Sequence, residues 1–171
     1  GRPFIGLSAG VGGNAMSAGV SAAAGVGIAE SDTVWGGSDL YPVASLAWAS
    51  GNDNAMVYLT GNLPVGAYQA SRLANVGLGH GAIDAGAGYT YFDPKNGREW
   101  SAVAGITYNR PNRAADYRNG IDSHLDWAAS QALGTNGLLG LAGYVYYQLS
   151  GDSGSGARLG PFKSRVAAIG P

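Results

Sequence analysis

The segment Ile121-Asp122-Ser123-His124-Leu125-Asp126-Trp127-Ala128-Ala129-Ser130-Gln131-Ala132-Leu133 decides the fold. Ile121, Leu125, Trp127, Ala129 and Leu133 share one phase of period two, with Ser123 and Gln131 as its only polar members. Asp122, His124, Asp126 and Ser130 take the opposite phase. Side chains alternate between the two faces of a strand, so this pattern predicts a long strand with one apolar and one polar face. Globular strands average about 5–6 residues, whereas a tilted strand crossing a bilayer needs about 9–11. Alternation over such a length favours a membrane wall.

The same reading extends in both directions. Over 99–109, Trp100, Ala102, Ala104, Ile106 and Tyr108 alternate with Glu99, Ser101, Val103, Gly105, Thr107 and Asn109. Over 139–149, Leu139, Leu141, Val145, Tyr147 and Leu149 oppose small residues, Tyr144, Tyr146 and Gln148. Over 80–92, Ile83, Ala85, Ala87, Tyr89 and Tyr91 oppose His80, Asp84, two glycines and Thr90. The mid-strand charges Asp84 and Asp126 both fall in the polar phase. A charge facing lipid at mid-membrane would cost up to about 2–4 kcal/mol, so a barrel requires this placement. Trp48, Tyr91, Trp100, Tyr108 and Tyr147 near strand ends suit interfacial girdles, while Tyr41 falls in the other phase.

Composition agrees. The 171 residues include 30 Gly and no Cys, 46% are hydrophobic and only 12% charged. The charged share is about half that of soluble domains. Glycine at this level disfavours a helical protein, since each interior Gly costs a helix about 1 kcal/mol. A formal charge of −1 gives no electrostatic case for nucleic acid. Without Cys there is no disulfide framework, thiol nucleophile or thiolate metal site. A soluble all-β domain and a transmembrane β-barrel remain, and the connections separate them.

Nine strands are expected, at roughly 3–11, 15–29, 38–50, 54–64, 80–92, 98–109, 120–133, 138–150 and 163–171. Gly12-Gly13-Asn14, Gly51-Asn52-Asp53, Asp93-Pro94-Lys95-Asn96-Gly97 and Gly134-Thr135-Asn136-Gly137 read as tight turns, because Gly, Asn, Asp and Pro supply the backbone angles that hairpins need. The alternate links, 30–37, 65–79, 110–119 and 151–162, are longer. Short periplasmic turns alternating with long external loops are the plan of an outer-membrane barrel. A first strand ending in a periplasmic turn runs inward, so an outward strand is expected before it. No terminal aromatic closes the last strand. Residues 1–171 are therefore expected to form one barrel domain, an interior piece of a barrel of about twelve strands lacking strands at both ends.

Several segments over 39–171 carry a resemblance: Asp39-Leu40-Tyr41-Pro42, Tyr58-Leu59-Thr60-Gly61-Asn62-Leu63-Pro64-Val65-Gly66-Ala67-Tyr68, Gly77-Leu78-Gly79-His80-Gly81-Ala82-Ile83-Asp84, Gly88-Tyr89-Thr90-Tyr91-Phe92, Asp122-Ser123-His124-Leu125-Asp126-Trp127 and Leu149-Ser150-Gly151-Asp152-Ser153-Gly154-Ser155-Gly156-Ala157. In collinear order they resemble outer-membrane proteins of the meta-pathway phenol-degradation family, often described as transporters. The first 38 residues match only as a Gly/Ala-rich hairpin of similar character. The resemblance implies an outer-membrane β-barrel of Gram-negative bacteria, tied to uptake and catabolism of aromatic compounds. It brings no catalytic or binding residues with it.

Asp122, His124 and Asp126 share one face, and His80 and Asp84 share the corresponding face of another strand. Such a set could be a satisfied lumenal hydrogen-bond network, a proton-linked gate in a permeation path, or an acid/base or metal site. Two His without fixed ligand spacing are a weak metal signal. Tyr58, Tyr144 and Tyr146 could stack on an aromatic solute or simply fill the barrel. Gly151-Asp152-Ser153-Gly154 copies a serine-protease motif by coincidence, since a triad is defined by geometry and the rest of that fold is absent. A barrel-embedded lipid hydrolase would need His124 beside a Ser and facing lipid. Gly77, Gly79 and Gly81 precede no helix, so they form no phosphate cradle.

The expectation is an antiparallel transmembrane β-barrel of the bacterial outer membrane, not an enzyme, without cofactor or metal. Its partners are outer-membrane lipid and a small hydrophobic or aromatic solute, and not nucleic acid. The solute enters passively at the long loops, past lumen-lining Tyr58, His80, Asp84, Asp122, His124, Asp126, Tyr144 and Tyr146. A structural or adhesive barrel with a blocked lumen is the rival.

Overall fold

The computed structural model describes residues 1–21, 27–134 and 137–171. Among them are ten antiparallel strands: β1 (Arg2–Ser8), β2 (Val11–Ser21), β3 (Gly27–Gly37), β4 (Tyr41–Ser50), β5 (Asp53–Asn62), β6 (Ala82–Asp93), β7 (Arg98–Asn109), β8 (Asp122–Leu133), β9 (Gly137–Gln148) and β10 (Arg165–Gly170). Eight form one sheet in the order β1-β4-β5-β6-β7-β8-β9-β10, and β2 pairs only with β3. From β4 onward each strand pairs with its sequence neighbour, the up-and-down pattern of a barrel wall. Strands β6 to β9 are 12 residues each, long enough to cross a bilayer at a tilt. Among the described residues β1 and β10 are the two edges, and the wall is partial.

Four expectations change. The strand expected at 15–29 is instead parts of two, β2 and β3, with residues 22–26 between them outside the described residues. Ten strands therefore replace nine. Gly12, Gly13 and Asn14 lie inside β2, and residues 30–37 form strand rather than a long link. The Trp35 ring accounts for the glycine: it covers Gly13 across the ladder, and a Cβ there would stand 2.7 Å from the ring. Glycine in a strand marks close approach as often as a turn. The first strand also runs the other way from the expectation. Ser8, at its end, pairs with Tyr41, beside the Leu40–Leu63 bridge that opens the long connection 63–81. The β2–β3 hairpin is thus rooted at the long-connection end, where Ser38 N donates to Gly10 O at 2.8 Å.

The other turns follow the expectation. Gly51 and Gly97 take φ of 60° and 64°, a conformation that L side chains avoid. The turn after β8 begins at Gly134, also with φ of 64°, while Thr135 and Asn136 lie outside the described residues.

Register sorts the residues onto two faces. One row runs Ile5, Ala44, Leu59, Ala85, Ile106, Ser123, Tyr147 and Arg165 across all eight strands. This apolar face is open to its surroundings: Leu59 is 54%, Ile106 55% and Trp100 63% exposed. The buried side chains are mostly polar, namely Asp39, Asn62, Asn109, Asn112, Asp122 and Gln148, against Val34 and Ala74 as the buried hydrophobic ones among the described residues. A water-soluble sheet buries its large apolar residues; this one turns them outward, as lipid requires. Toward the short-turn end the apolar face carries Trp48, Tyr89, Tyr91, Trp100 and Trp127. Toward the other end it carries Tyr108 and Tyr147, with the guanidinium groups of Arg118 and Arg165 stacked at 4.7 and 4.6 Å. Tyr41 lies on the opposite, polar face, in register with Ser8.

Candidate functional site

The polar face is organised around one transverse row. Tyr58 on β5 pairs with Gly86 on β6, Gly86 with Gly105 on β7, Gly105 with His124 on β8, and His124 with Tyr146 on β9. Three inter-strand steps, about 14 Å, separate the backbones of Tyr58 and His124. The two glycines clear the floor between them, and the Tyr58 hydroxyl reaches His124 Nε2 at 3.2 Å. A Cβ on Gly105 would stand 2.3 Å from that hydroxyl and 2.5 Å from Nε2.

His124 gathers two carboxylates. Its Nε2 is 3.2 Å from Asp84 Oδ2 and its Nδ1 is 3.2 Å from Asp126 Oδ2. Thr107, paired with Asp84, donates its hydroxyl to the same Oδ2 at 2.5 Å. A carboxylate only accepts, so whichever ring nitrogen carries a proton donates, Nε2 to Asp84 or Nδ1 to Asp126, and an unprotonated Nε2 accepts from the Tyr58 hydroxyl. The Asp84 side chain is sheltered at 13% exposure, whereas Asp126 is open at 60%. The cluster is therefore a polar rib across four strands, sheltered at Asp84 and open at Asp126. The hydrogen bonds of His124 go to tyrosine and carboxylate, with no serine hydroxyl among them. Among the described residues no three His, Asp or Glu side chains group as a metal would need.

Asp122 shares the face of His124 but not its cluster. It accepts from Asn109 Nδ2 at 2.6 Å and from the Tyr146 hydroxyl at 2.6 Å, and Asn109 also donates to Gly120 O. Gln148, the register partner of Asp122, donates to Asp152, which also accepts from the Tyr117 hydroxyl. Burial, then the bond to Asp152, pushes the Tyr117 phenol up to about 12. This buried set joins the ends of β7, β8 and β9 to the connections 110–121 and 149–164. Those connections are laced further: Arg118 and Ser153 exchange backbone hydrogen bonds, and Asp116 accepts from the hydroxyl and N–H of Ser155. Those two bonds, the hydroxyl's first, hold the Asp116 carboxyl below its ordinary range. Asp152 and Ser153 thus serve loop structure.

His80 stands apart from both clusters. Its Nδ1 lies 3.1 Å from Leu78 O, within its own connection. With Arg110 it borders a cleft of about 910 Å³ at the long-connection end, whose apolar lining includes Ile5, Pro42, Leu59 and Ile83. Asp39 fixes that connection. Fully buried, it accepts from Gly66 N, Leu78 N and Asn62 Nδ2 at 2.9, 3.0 and 3.0 Å. Tyr144 is exposed on the polar face opposite Asp126.

Of the eight expected site residues, then, Tyr58, Asp84, His124 and Asp126 come together. Asp122 and Tyr146 form a second group, and His80 and Tyr144 join neither. Thr107, Asn109, Gln148 and Asp39 complete these groups and were not among the expected site residues. For the first three the signal was present, since they are polar residues in the non-lipid phase near strand ends. Asp39 lies between strands, outside any phase.

With this geometry in hand, comparison with known proteins is informative. No curated protein matches the chain. The crystal structure of an outer membrane channel from Pseudomonas putida F1 matches with a TM-score of 0.68 at 13% identity, over 82% of this chain and 57% of that one. At that identity the likeness speaks for the fold, the wall of an outer-membrane channel barrel, and the chain spans a little over half of that structure's length. A family model, MetA-pathway of phenol degradation, matches residues 2–171. The chain belongs to that family.

Proposed function

We propose that this chain is part of the wall of an outer-membrane channel that admits small hydrophobic or aromatic compounds by passive diffusion, for their catabolism. The cleft at the long-connection end carries the reading: Ile5, Pro42, Leu59 and Ile83 belong to the apolar phase, so it lies on the outer side of the wall, where the loops meet the membrane. Its volume, about 910 Å³, suits a small molecule, and its apolar walls suit an uncharged ring better than a sugar or an ion. The family ties its members to phenol degradation, and the structural neighbour is a channel. In this reading the long connections face outside and receive the solute. The polar face is the lumen, where Tyr58, Asp84, His124 and Asp126 hold water and set the polarity of the path. The mechanism is diffusion between two media and uses no cofactor. Outer-membrane lipid covers the apolar face below the cleft.

The test is flux through the full-length protein in liposomes, with phenol or toluene as solute. Flux should exceed that of protein-free vesicles. Ala114→Trp, which fills the cleft rim, should cut it by about tenfold. Absence of flux from a protein with intact barrel circular dichroism would overturn the proposal. The lacing of 110–121 to 149–164 favours one rival, a closed barrel whose loops make adhesive contacts. That rival predicts no flux and no effect of Ala114→Trp.

A further inference from the structure

The lipid-facing side carries a second concavity, at the short-turn end of β7, β8 and β9. Three rows build it. Arg98 pairs with Gln131 and Gln131 with Leu139; Trp100 pairs with Ala129 and Ala129 with Leu141; Ala102 pairs with Trp127 and Trp127 with Gly143. The small residues make the floor and the large ones the walls. The Trp127 ring lies over Gly143, where a Cβ would come within 2.8 Å of it. The groove holds about 570 Å³ between Trp100, Trp127, Leu139 and Leu141, bordered by Pro171 on the β10 side, with Arg98 and Gln131 at its outer end.

Arg98 is held ready for an anion. Gln131 donates its amide to the backbone oxygens of Asn96 and Ala132, which fixes its own carbonyl toward Arg98 Nε at 3.1 Å. That bond uses one edge of the guanidinium and leaves the terminal nitrogens without an ion pair within 4.0 Å among the described residues. The nearest carboxylate by register, Asp93, spends its oxygens on Lys95 N, Asn96 N and Asn96 Nδ2 and reaches Arg98 only by charge at a distance, without an ion pair. Glu99 points to the other face and accepts from Ser101.

A free guanidinium above an apolar groove walled by two indoles has one fitting occupant, an amphiphile with an anionic head and a hydrocarbon tail. Planar guanidinium groups suit phosphate oxygens, and tryptophan favours the depth at which head meets chain. A soluble phosphate would leave the groove empty, and a neutral hydrocarbon would leave Arg98 unused. We infer that Arg98, Gln131, Trp100, Trp127, Leu139 and Leu141 form a binding site for one anionic phospholipid, its phosphate on Arg98 and an acyl chain in the groove. The choice of phospholipid over lipid A rests on the membrane orientation proposed above, which places short turns in the periplasm and this site in the inner leaflet.

The test uses the full-length protein with every tryptophan except Trp100 and Trp127 replaced by Phe, in phosphatidylcholine vesicles containing phosphatidylglycerol with brominated chains. Bromine quenches indole on contact, so Trp100 and Trp127 report occupancy. Quenching should saturate at low mole fraction of the anionic lipid, and brominated phosphatidylcholine at that fraction should quench far less. Arg98→Gln should raise the half-saturating fraction about fivefold, the scale of one basic residue at an anionic surface, and Arg98→Lys should recover part of it. Ala129→Phe, which fills the groove floor without adding an indole, should abolish the saturable component. Equal quenching by both lipids, or a curve that Arg98→Gln leaves unmoved, would overturn the site. Solute flux should be unchanged in Arg98→Gln. Loss of flux from the parent with saturable quenching intact would sink the transport reading and leave the lipid site standing. Quenching by neither lipid at any fraction would overturn both.

Discussion

The Tyr58 hydroxyl meets His124 Nε2 at 3.2 Å across the bare backbones of Gly86 and Gly105, on the two strands between them. The contact exists only because both intervening positions lack a side chain. Gly105→Ala puts a methyl group into the space of the hydroxyl and the ring nitrogen. It is expected to destabilise the barrel by about 1–3 kcal/mol through overpacking. Tyr58→Phe removes one hydrogen bond without crowding, at about 0.5–1.5 kcal/mol. Urea unfolding midpoints in lipid vesicles give both values. A Gly105→Ala protein no less stable than Tyr58→Phe would contradict the packing argument.

The faces were legible from the sequence and the groups were not. Period-two alternation placed Asp84, Asp122, His124 and Asp126 on the polar side of their strands, and the structure keeps them there. What sits beside what depends on register across strands, which turn lengths and glycine positions set. Asp122 is two residues from His124 in sequence, yet its partners are Asn109 on β7 and Tyr146 on β9. His80 fell in the Asp84 phase but lies before β6 begins, where phase no longer governs direction.

Asp122 is buried and satisfied by two side-chain donors. Asp122→Ala leaves one N–H of the buried Asn109 amide unmet, its other bond to Gly120 O remaining, and frees the half-buried Tyr146 hydroxyl; an unmet buried group costs about 1–3 kcal/mol. Asp126→Ala, at an open position, should change stability by under about 0.5 kcal/mol. Thermal unfolding of the two variants side by side should show this contrast, and a larger loss at Asp126 would refute the assignment of the buried group as the structural one.

Asp39 holds the connection 63–81 by accepting from two backbone N–H groups and one side-chain amide. Asp39→Asn turns one acceptor into a donor facing a donor, so at least one of these bonds is lost at about 1–3 kcal/mol. Amide hydrogen exchange should therefore accelerate at Gly66 or Leu78 by tenfold or more, with the strands unaffected. Unchanged exchange at both amides would show that the connection is held by other contacts.

The first hairpin was the least legible part of the fold, and its reason is physical. Gly12-Gly13-Asn14 has the composition of a tight turn, because the same missing side chain that permits positive φ also admits a neighbouring ring. Only the structure shows that Trp35 takes that space. Over 15–29 Met16, Val20, Val26 and Ile28 share one phase while every Gly and Ser stays in the other, so the alternation runs on without interruption and nothing local marked the boundary between β2 and β3.

That hairpin is tied to the connection 63–81 by one ion pair. Arg72 donates to both oxygens of Asp32, at 2.7 and 3.1 Å, and to Thr33 O, while Ala74 N donates to Asp32 as well. The Arg72 side-chain bond, then the Ala74 N–H, hold the Asp32 carboxyl well below its ordinary value, and Asp32 in turn raises Arg72. A carboxyl depressed in the folded state contributes stability that is fully present above its unfolded value, about 3.9, and is lost as pH falls through the lowered one. The clamp is therefore constant from pH 8 to pH 5 and weakens only below about pH 4. Limited proteolysis of the hairpin with pepsin, which works in acid, should show protection at pH 5 and cleavage rising steeply toward pH 2. Arg72→Ala should be cleaved readily at pH 5 as well. A hairpin equally protected at pH 2 and pH 5, or unaffected by Arg72→Ala, would mean that the seam around Val34 and Ala74 holds it without the ion pair.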